Sequence, residues 1–226
     1  MDADIVEVKL HPVHGAGSWA SNGYIKKENN DKAGRHYIMI QLEKEEPDTY
    51  HNALVAHEMG HILGMVHEHQ RLDRNWWIHW DCTKVYGYAA ANARYAREAQ
   101  EDWPSMEAIC NSNWMGSRYL HWPAPAEYTQ DMGKTGDKTN IPSNPVKYDK
   151  ESIMGYGSST WSDKEDPGVT EAPIVYWKVP GSHRLKEKPN ENNAVLIPNI
   201  YAVPDGDVEF VKSFYPWGKT SEVFKA

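Results

Sequence analysis

The chain has only three phenylalanines and two cysteines, and no apolar run approaching the ~20 residues that a membrane-spanning helix needs. No membrane span is therefore expected. It also lacks a basic run, and its net charge is −8, so nothing is present to neutralise a phosphate backbone. Nucleic acid is not an expected partner. The first residues, MDADIVEVKLHPVHG, lack the basic-then-apolar order of a signal peptide. That absence leaves a cytosolic protein or a chain without its natural start. No repeat and no low-complexity linker interrupts the sequence. Cys82 and Cys110 cannot by themselves fix a compartment; a mutual bridge and two separate buried thiols both remain open. What the chain has in quantity is ten Trp and thirteen Tyr, rings with a polar handle that suit wet clefts and rims as well as cores. Its 226 residues suit one large domain or two small lobes around a cleft.

Local patterns predict a small set of elements. Residues 5–10, IVEVKL, alternate with Val6, Val8 and Leu10 on one face and read as a strand; 37–42, YIMIQL, is an apolar run of strand length. A short strand around Trp19 is expected within turn-rich HGAGSWASNG. A helix is expected from near Pro47, with Asp48 as its N-cap, to about Leu63, with Gly64 as its stop. A second is expected over 84–100, on a stripe of Val85, Tyr88, Ala89, Tyr95, Ala96 and Ala99 that Asn92 interrupts. A short helix should follow Pro104, and a last one spans 205–214 with Val208, Val211 and Phe214 buried. Residues 122–147 and 157–203 read as long ordered loops, which are often functional.

The stretch HEMGHILGMVHEHQR, residues 57–71, carries the chemistry. His57 and His61 are four residues apart, so both imidazoles leave one face of a helix, one turn apart. That spacing suits two ligands on one metal ion. His67 would point to the wrong side of a continuous helix. A turn at Gly64, which tolerates positive φ, can swing it back under the same metal. Three neutral imidazoles leave a position open for water, the pattern of a catalytic zinc site. Such a metal acidifies its water and polarises a carbonyl. Glu58 lies about 100° round the helix from His57. There it can take a proton from the water and hand it to a leaving amine. His69, two residues past His67, should face away, as a surface or supporting group.

Downstream, YDKESIMGYGSS at 148–159 supplies a turn containing Met154. H-E-x-x-H-x-x-G-x-x-H followed by a Met-containing turn is the metzincin pattern. HEHQRLDR, residues 67–74, and Ser152-Ile153-Met154-Gly155-Tyr156 resemble the astacin family's H-E-x-x-R-x-D-R and S-x-M-x-Y. The similarity is strongest over 52–76 and 148–158, and looser over 77–147 and 159–206. The resemblance implies a zinc metalloendopeptidase acting on peptide or protein substrates, with one catalytic Zn²⁺ held by His57, His61 and His67. Glu58 would be the general base. Met154 would form a hydrophobic floor under the metal. Tyr156 would be a weak fifth ligand that swings to the developing oxyanion. Glu68 would be buried, reaching in relatives the mature N-terminus.

The implied fold is α+β: a metzincin-like single catalytic domain over 1–226. A twisted, mostly parallel sheet with an antiparallel edge strand and the zinc helix forms an upper lobe, about 1–64. A largely irregular lower lobe, about 65–226, ends in a helix. An N-terminal strand and helix of the family have no visible counterpart, so Glu68 needs another partner; Arg71 and Arg74 are candidates. Gly155 stands where many relatives carry His. Many relatives have four cysteines; here a Cys82–Cys110 staple is expected, and with it export to an extracellular, secreted setting and a monomer. Residues 36–42 are expected to be the edge strand that pairs with an extended peptide. The cluster NWWIHW, with Trp76, Trp77 and Trp80, would line a rim or pack on the 84–100 helix. Two other readings are a catalytically impaired zinc-binding module and a zinc hydrolase of another amide.

Overall fold

The computed structural model describes residues 5–11, 17–42, 46–130, 148–181 and 186–216. It divides into two compact units, the first of which comprises residues 1–66, 139–154 and 200–226. Three strands open it: β1 (Val6–Leu10), β2 (Trp19–Ala20) and β3 (His36–Ile40). β3 is central, parallel to β1 from Val6↔His36 to Leu10↔Ile40 and antiparallel to β2 through Trp19↔Met39. This is the α+β arrangement expected, with an antiparallel strand at one edge. The expected edge role of 36–42 is corrected: β3 is paired on both sides, which leaves β1 and β2 as the edges. Period-2 alternation in β3 buries His36, Ile38 and Ile40 on one face. In β1, by contrast, Val8 and Leu10 stay exposed at 65% and 71%, so its apolar face is not core.

Helix α1 (Asp48–Ile62) packs on β3 and β2. Its N-cap is Pro47, not Asp48, which is the first helical residue and places its carboxylate in the first turn, where the helix dipole favours it. The C-terminus is a Schellman arrangement: Met65 N–H donates to the Gly60 carbonyl at 2.9 Å and Gly64 N–H to the His61 carbonyl at 2.9 Å. Gly64 takes φ = 88°, a left-handed conformation that carries almost no cost only for glycine. The core of the unit is Ala53, Met65, Ile153, Met154 and Phe210. Phe210 comes from the last helix, α4 (Asp205–Phe214). α4 buries Asp207 and Phe210, whereas Phe214 is 42% exposed, so its buried face differs from the one the apolar spacing suggests. The first stretch of this unit ends at Val66, and the unit also takes in the Met154 segment and the C-terminal helix.

The second unit comprises 67–138 and 155–199. β4 (Ile78–Trp80) pairs antiparallel with β5 (Ile174–Trp177), which pairs with β6 (Ala194–Val195). Sequence spacing reads β5 and β6 as loop and misses β4. A run such as IVYW, buried along its whole length, has no alternation to reveal it. The tryptophans beside β4 have different roles: Trp80 stacks on Tyr128 at 4.4 Å, the Trp77 carbonyl accepts from Trp177 N–H, and Trp76 is exposed. α2 (Tyr88–Glu98) starts later than expected, after Gly87 at φ = 82°, and buries Ala91 rather than the Ala89–Ala96 line. α3 (Met106–Cys110) follows Ser105, whose hydroxyl caps Ala108 N–H at 3.2 Å. The Cys82–Cys110 disulfide is formed and closes a separation of 28 residues. A loop of that length constrains the unfolded chain by roughly 3–4 kcal/mol in the chain-entropy model. The part of the expected 122–147 loop from 131 onward lies outside the described residues, as does most of HGAGS.

Candidate metal centre

α1 carries His57 and His61 one turn apart, their rings 4.8 Å from centre to centre and nearly perpendicular. Each imidazole is held through Nδ1. His57 Nδ1–H donates to the Ile153 carbonyl at 2.8 Å, and His61 Nδ1–H to the Met65 carbonyl at 3.0 Å. His67 Nδ1–H donates to Gln70 Oε1 at 3.1 Å. A carbonyl oxygen can only accept, so the proton sits on Nδ1 and the lone pair on Nε2 in all three rings. Fixing the tautomer and orientation through the other ring nitrogen is how metal-binding histidines are prepared. Ligand atoms of His57, His61 and His67 all lie within 4.8 Å of one another, so the three can hold one metal ion. Burial lowers the pKa of His57, and burial followed by the neighbouring His57 lowers that of His61 to about 4. Both rings are therefore neutral near pH 7, the form a metal requires.

Glu58 sits between His57 and His61 in the sequence and is 2% exposed. Met154 is fully buried, and its sulfur packs on Gly60, where an added Cβ would lie 2.7 Å away. The Met154 segment is itself tied down from α4. Asp207 accepts from Ser152 Oγ–H at 2.8 Å and from Ile153 N–H at 2.8 Å. The same Ile153 residue offers its carbonyl to His57, so a buried carboxylate on α4 reaches His57 through one residue of backbone. Desolvation is the largest influence on Asp207 and raises its pKa.

In the second unit, Glu68 is fully buried, with Arg71 Nε 3.6 Å from its Oε1; Arg71 also grips Asp73 through Nε and Nη2 at 2.8 and 2.9 Å. Arg71, one of the two expected candidates, is thus a partner of Glu68. Arg74 donates to the His69 and Tyr128 carbonyls. The expectation of His69 as a surface or supporting group is corrected in its surface half: the residue is 1% exposed. Its Nε2–H donates to the Glu127 carbonyl at 2.8 Å, and its Nδ1 accepts from Tyr156 N–H at 3.3 Å. Tyr156 lies with its ring 4.6 Å from His67 and 4.2 Å from His69, and its O–H donates to Glu127 Oε2 at 2.9 Å. Sequence reasoning misses Gln70, Glu127 and Asp207. Only a glycine inside a helix, Gly60, carries a local signal that something packs closely there.

Residues 33–106 match the family model described as Astacin, a family of peptidases. No curated protein matches the chain. Among solved structures it is similar to high choriolytic enzyme 1, a hatching enzyme zinc-protease from Oryzias latipes (medaka fish). That likeness has a TM-score of 0.49 and 13% identity, and covers 95% of this chain and 70% of that one. It is also similar to myroilysin, with a TM-score of 0.45 and 22% identity, covering 93% and 72%. With TM-scores below 0.5, these likenesses leave the identification to the match over 33–106 and to the histidine group. The class so defined is zinc metalloendopeptidase. Over residues 33–106, the segment that carries the motif, the chain resembles the astacin family of peptidases.

Proposed function

We propose that the chain hydrolyses peptide bonds with a zinc ion held by His57, His61 and His67, Glu58 as general base and Tyr156 as oxyanion stabiliser. The observation that supports this most is the common Nδ1 anchoring of three clustered histidines. Three neutral nitrogen donors with a carboxylate alongside fit zinc, which when bound acidifies water and polarises a carbonyl. Glu58 is buried on the helix that carries two ligands, so its carboxylate takes a proton from the attacking water in a site of low dielectric and returns it to the leaving amine. Met154 fills the space against Gly60 and keeps α1 at a fixed distance from the segment that orients His57. Tyr156 would donate its O–H to the oxygen that gains charge, an interaction of about 3 kcal/mol when the donor is preorganised. β2, the antiparallel edge strand beside β3, is the strand assigned to pairing with an extended substrate. The disulfide suits an oxidising, extracellular setting.

The test is zinc content together with cleavage of a quenched peptide library, for the parent chain and for Glu58→Gln. Retained zinc with cleavage lowered by about a hundredfold or more is expected for the variant. Bound zinc without cleavage in either protein would leave a zinc-binding module. Cleavage unaffected by Glu58→Gln would refute the mechanism.

A further inference from the structure

His69 and Glu127 take no part in the chemistry above, yet both close on Tyr156. Three hydrogen bonds form a ring: Tyr156 N–H to His69 Nδ1, His69 Nε2–H to the Glu127 carbonyl, and Tyr156 O–H to Glu127 Oε2. The directions agree with one another. A histidine that donates from Nε2 to a carbonyl accepts at Nδ1, which is where the Tyr156 amide points. The frame behind Glu127 is rigid. Its neighbour Tyr128 is fully buried, donates its hydroxyl to the Thr160 carbonyl and accepts Arg74 at its own carbonyl. Arg74 also donates to the His69 carbonyl at 3.1 Å, so one buried guanidinium fixes both sides of the ring.

We propose that Glu127 is a positioning residue for Tyr156, the resting acceptor of its phenol proton. This rests on the role given to Tyr156 above. A phenol has one proton to donate, and a carboxylate only accepts. While the O–H is on Glu127 Oε2 it is withheld from a substrate oxygen, and it must leave Glu127 before it can stabilise an oxyanion. Charge-assisted hydrogen bonds are about twice as strong as neutral ones, so Glu127 holds the proton more firmly than an amide would. His69 keeps the Tyr156 backbone in place while the hydroxyl changes partner. Glu127 thereby sets how readily Tyr156 is released.

The experiment is a double-mutant cycle of Glu127→Gln and Tyr156→Phe in the full chain, read in two ways. In the zinc-free protein, urea unfolding should show that Glu127→Gln lowers the midpoint when Tyr156 is present and leaves it unchanged in Tyr156→Phe. An equal shift in both backgrounds would overturn the proposal, because a merely structural Glu127 does not depend on the phenol O–H. In the zinc-loaded protein, kcat/KM should rise up to about tenfold in Glu127→Gln and not at all in the double variant. A fall in kcat/KM in both backgrounds would equally overturn it. Absence of cleavage by the parent chain would sink the proposed function and not the latch, which the zinc-free cycle decides alone.

Discussion

Gly60 lies in the interior of α1 between His57 and His61, a position where glycine costs a helix about 1 kcal/mol relative to alanine. By propensity alone, Gly60→Ala should stabilise the chain by that amount. The packing says otherwise. A Cβ at Gly60 would stand 2.7 Å from Met154 Sδ, 3.4 Å from Met65 Sδ and 3.5 Å from Met154 Cε. Met154 and Met65 are 0% and 1% exposed, and they belong to the core that includes Ala53, Ile153 and Phe210. The Met154 sulfur would have to retreat by roughly 1 Å into filled space, and overpacking of this kind costs about 1–3 kcal/mol. The net expectation for Gly60→Ala is a loss of about 1 kcal/mol. In a Met154→Ala background the obstruction is gone, and the same substitution should stabilise by about 1 kcal/mol. The coupling is then about 2 kcal/mol, large enough to resolve by urea unfolding of the chelator-treated protein at the four corners of the cycle. If Gly60→Ala stabilises the parent chain as much as it does Met154→Ala, the claim that Met154 excludes a side chain from this turn is wrong.

Two further outcomes follow from the same structure. Arg71→Met should destabilise the chain by about 3 kcal/mol, because it leaves the fully buried Glu68 carboxylate without the guanidinium 3.6 Å away; an unfolding midpoint unchanged from the parent would show that Glu68 does not depend on Arg71. The zinc-free chain should lose stability as pH falls from about 6.5 towards 4. Burial depresses the pKa of His57 and His61, so the unfolded chain binds protons that the folded chain refuses. Each such histidine contributes a slope of up to about 1.4 kcal/mol per pH unit, and urea midpoints that stay flat across this window would contradict the assignment of buried, neutral rings.

The legible parts of the fold are those with a strong local period or stop. Helix α1 can be read to within a residue or two because Gly64 ends it by a backbone conformation that the residue type announces. β1, β3 and α4 are legible as elements, although α4 buries Phe210 rather than Phe214, and β1 exposes the face its alternation marks as apolar. β5 and β6 are not legible, because β5 is buried throughout and β6 is only two residues long. Which strand of the first sheet lies at its edge is also beyond the sequence, since pairing order depends on where distant strands meet.

For the site, the sequence by itself marked the three histidines that cluster and the glutamate beside the first of them. The spacing of His57, Glu58, His61, Gly64 and His67 is a matter of helix pitch and one permissive glycine, both local properties. Tertiary structure alone decided what holds those groups. The acceptor for His57 is 96 residues away at Ile153, the carboxylate that clamps Ile153 comes from Asp207, and the hydroxyl of Tyr156 is received by Glu127, 29 residues upstream. None of these pairs shares a period, a spacing or a motif. They exist because buried donors must find acceptors wherever the chain brings them, and that is settled only when the chain is packed.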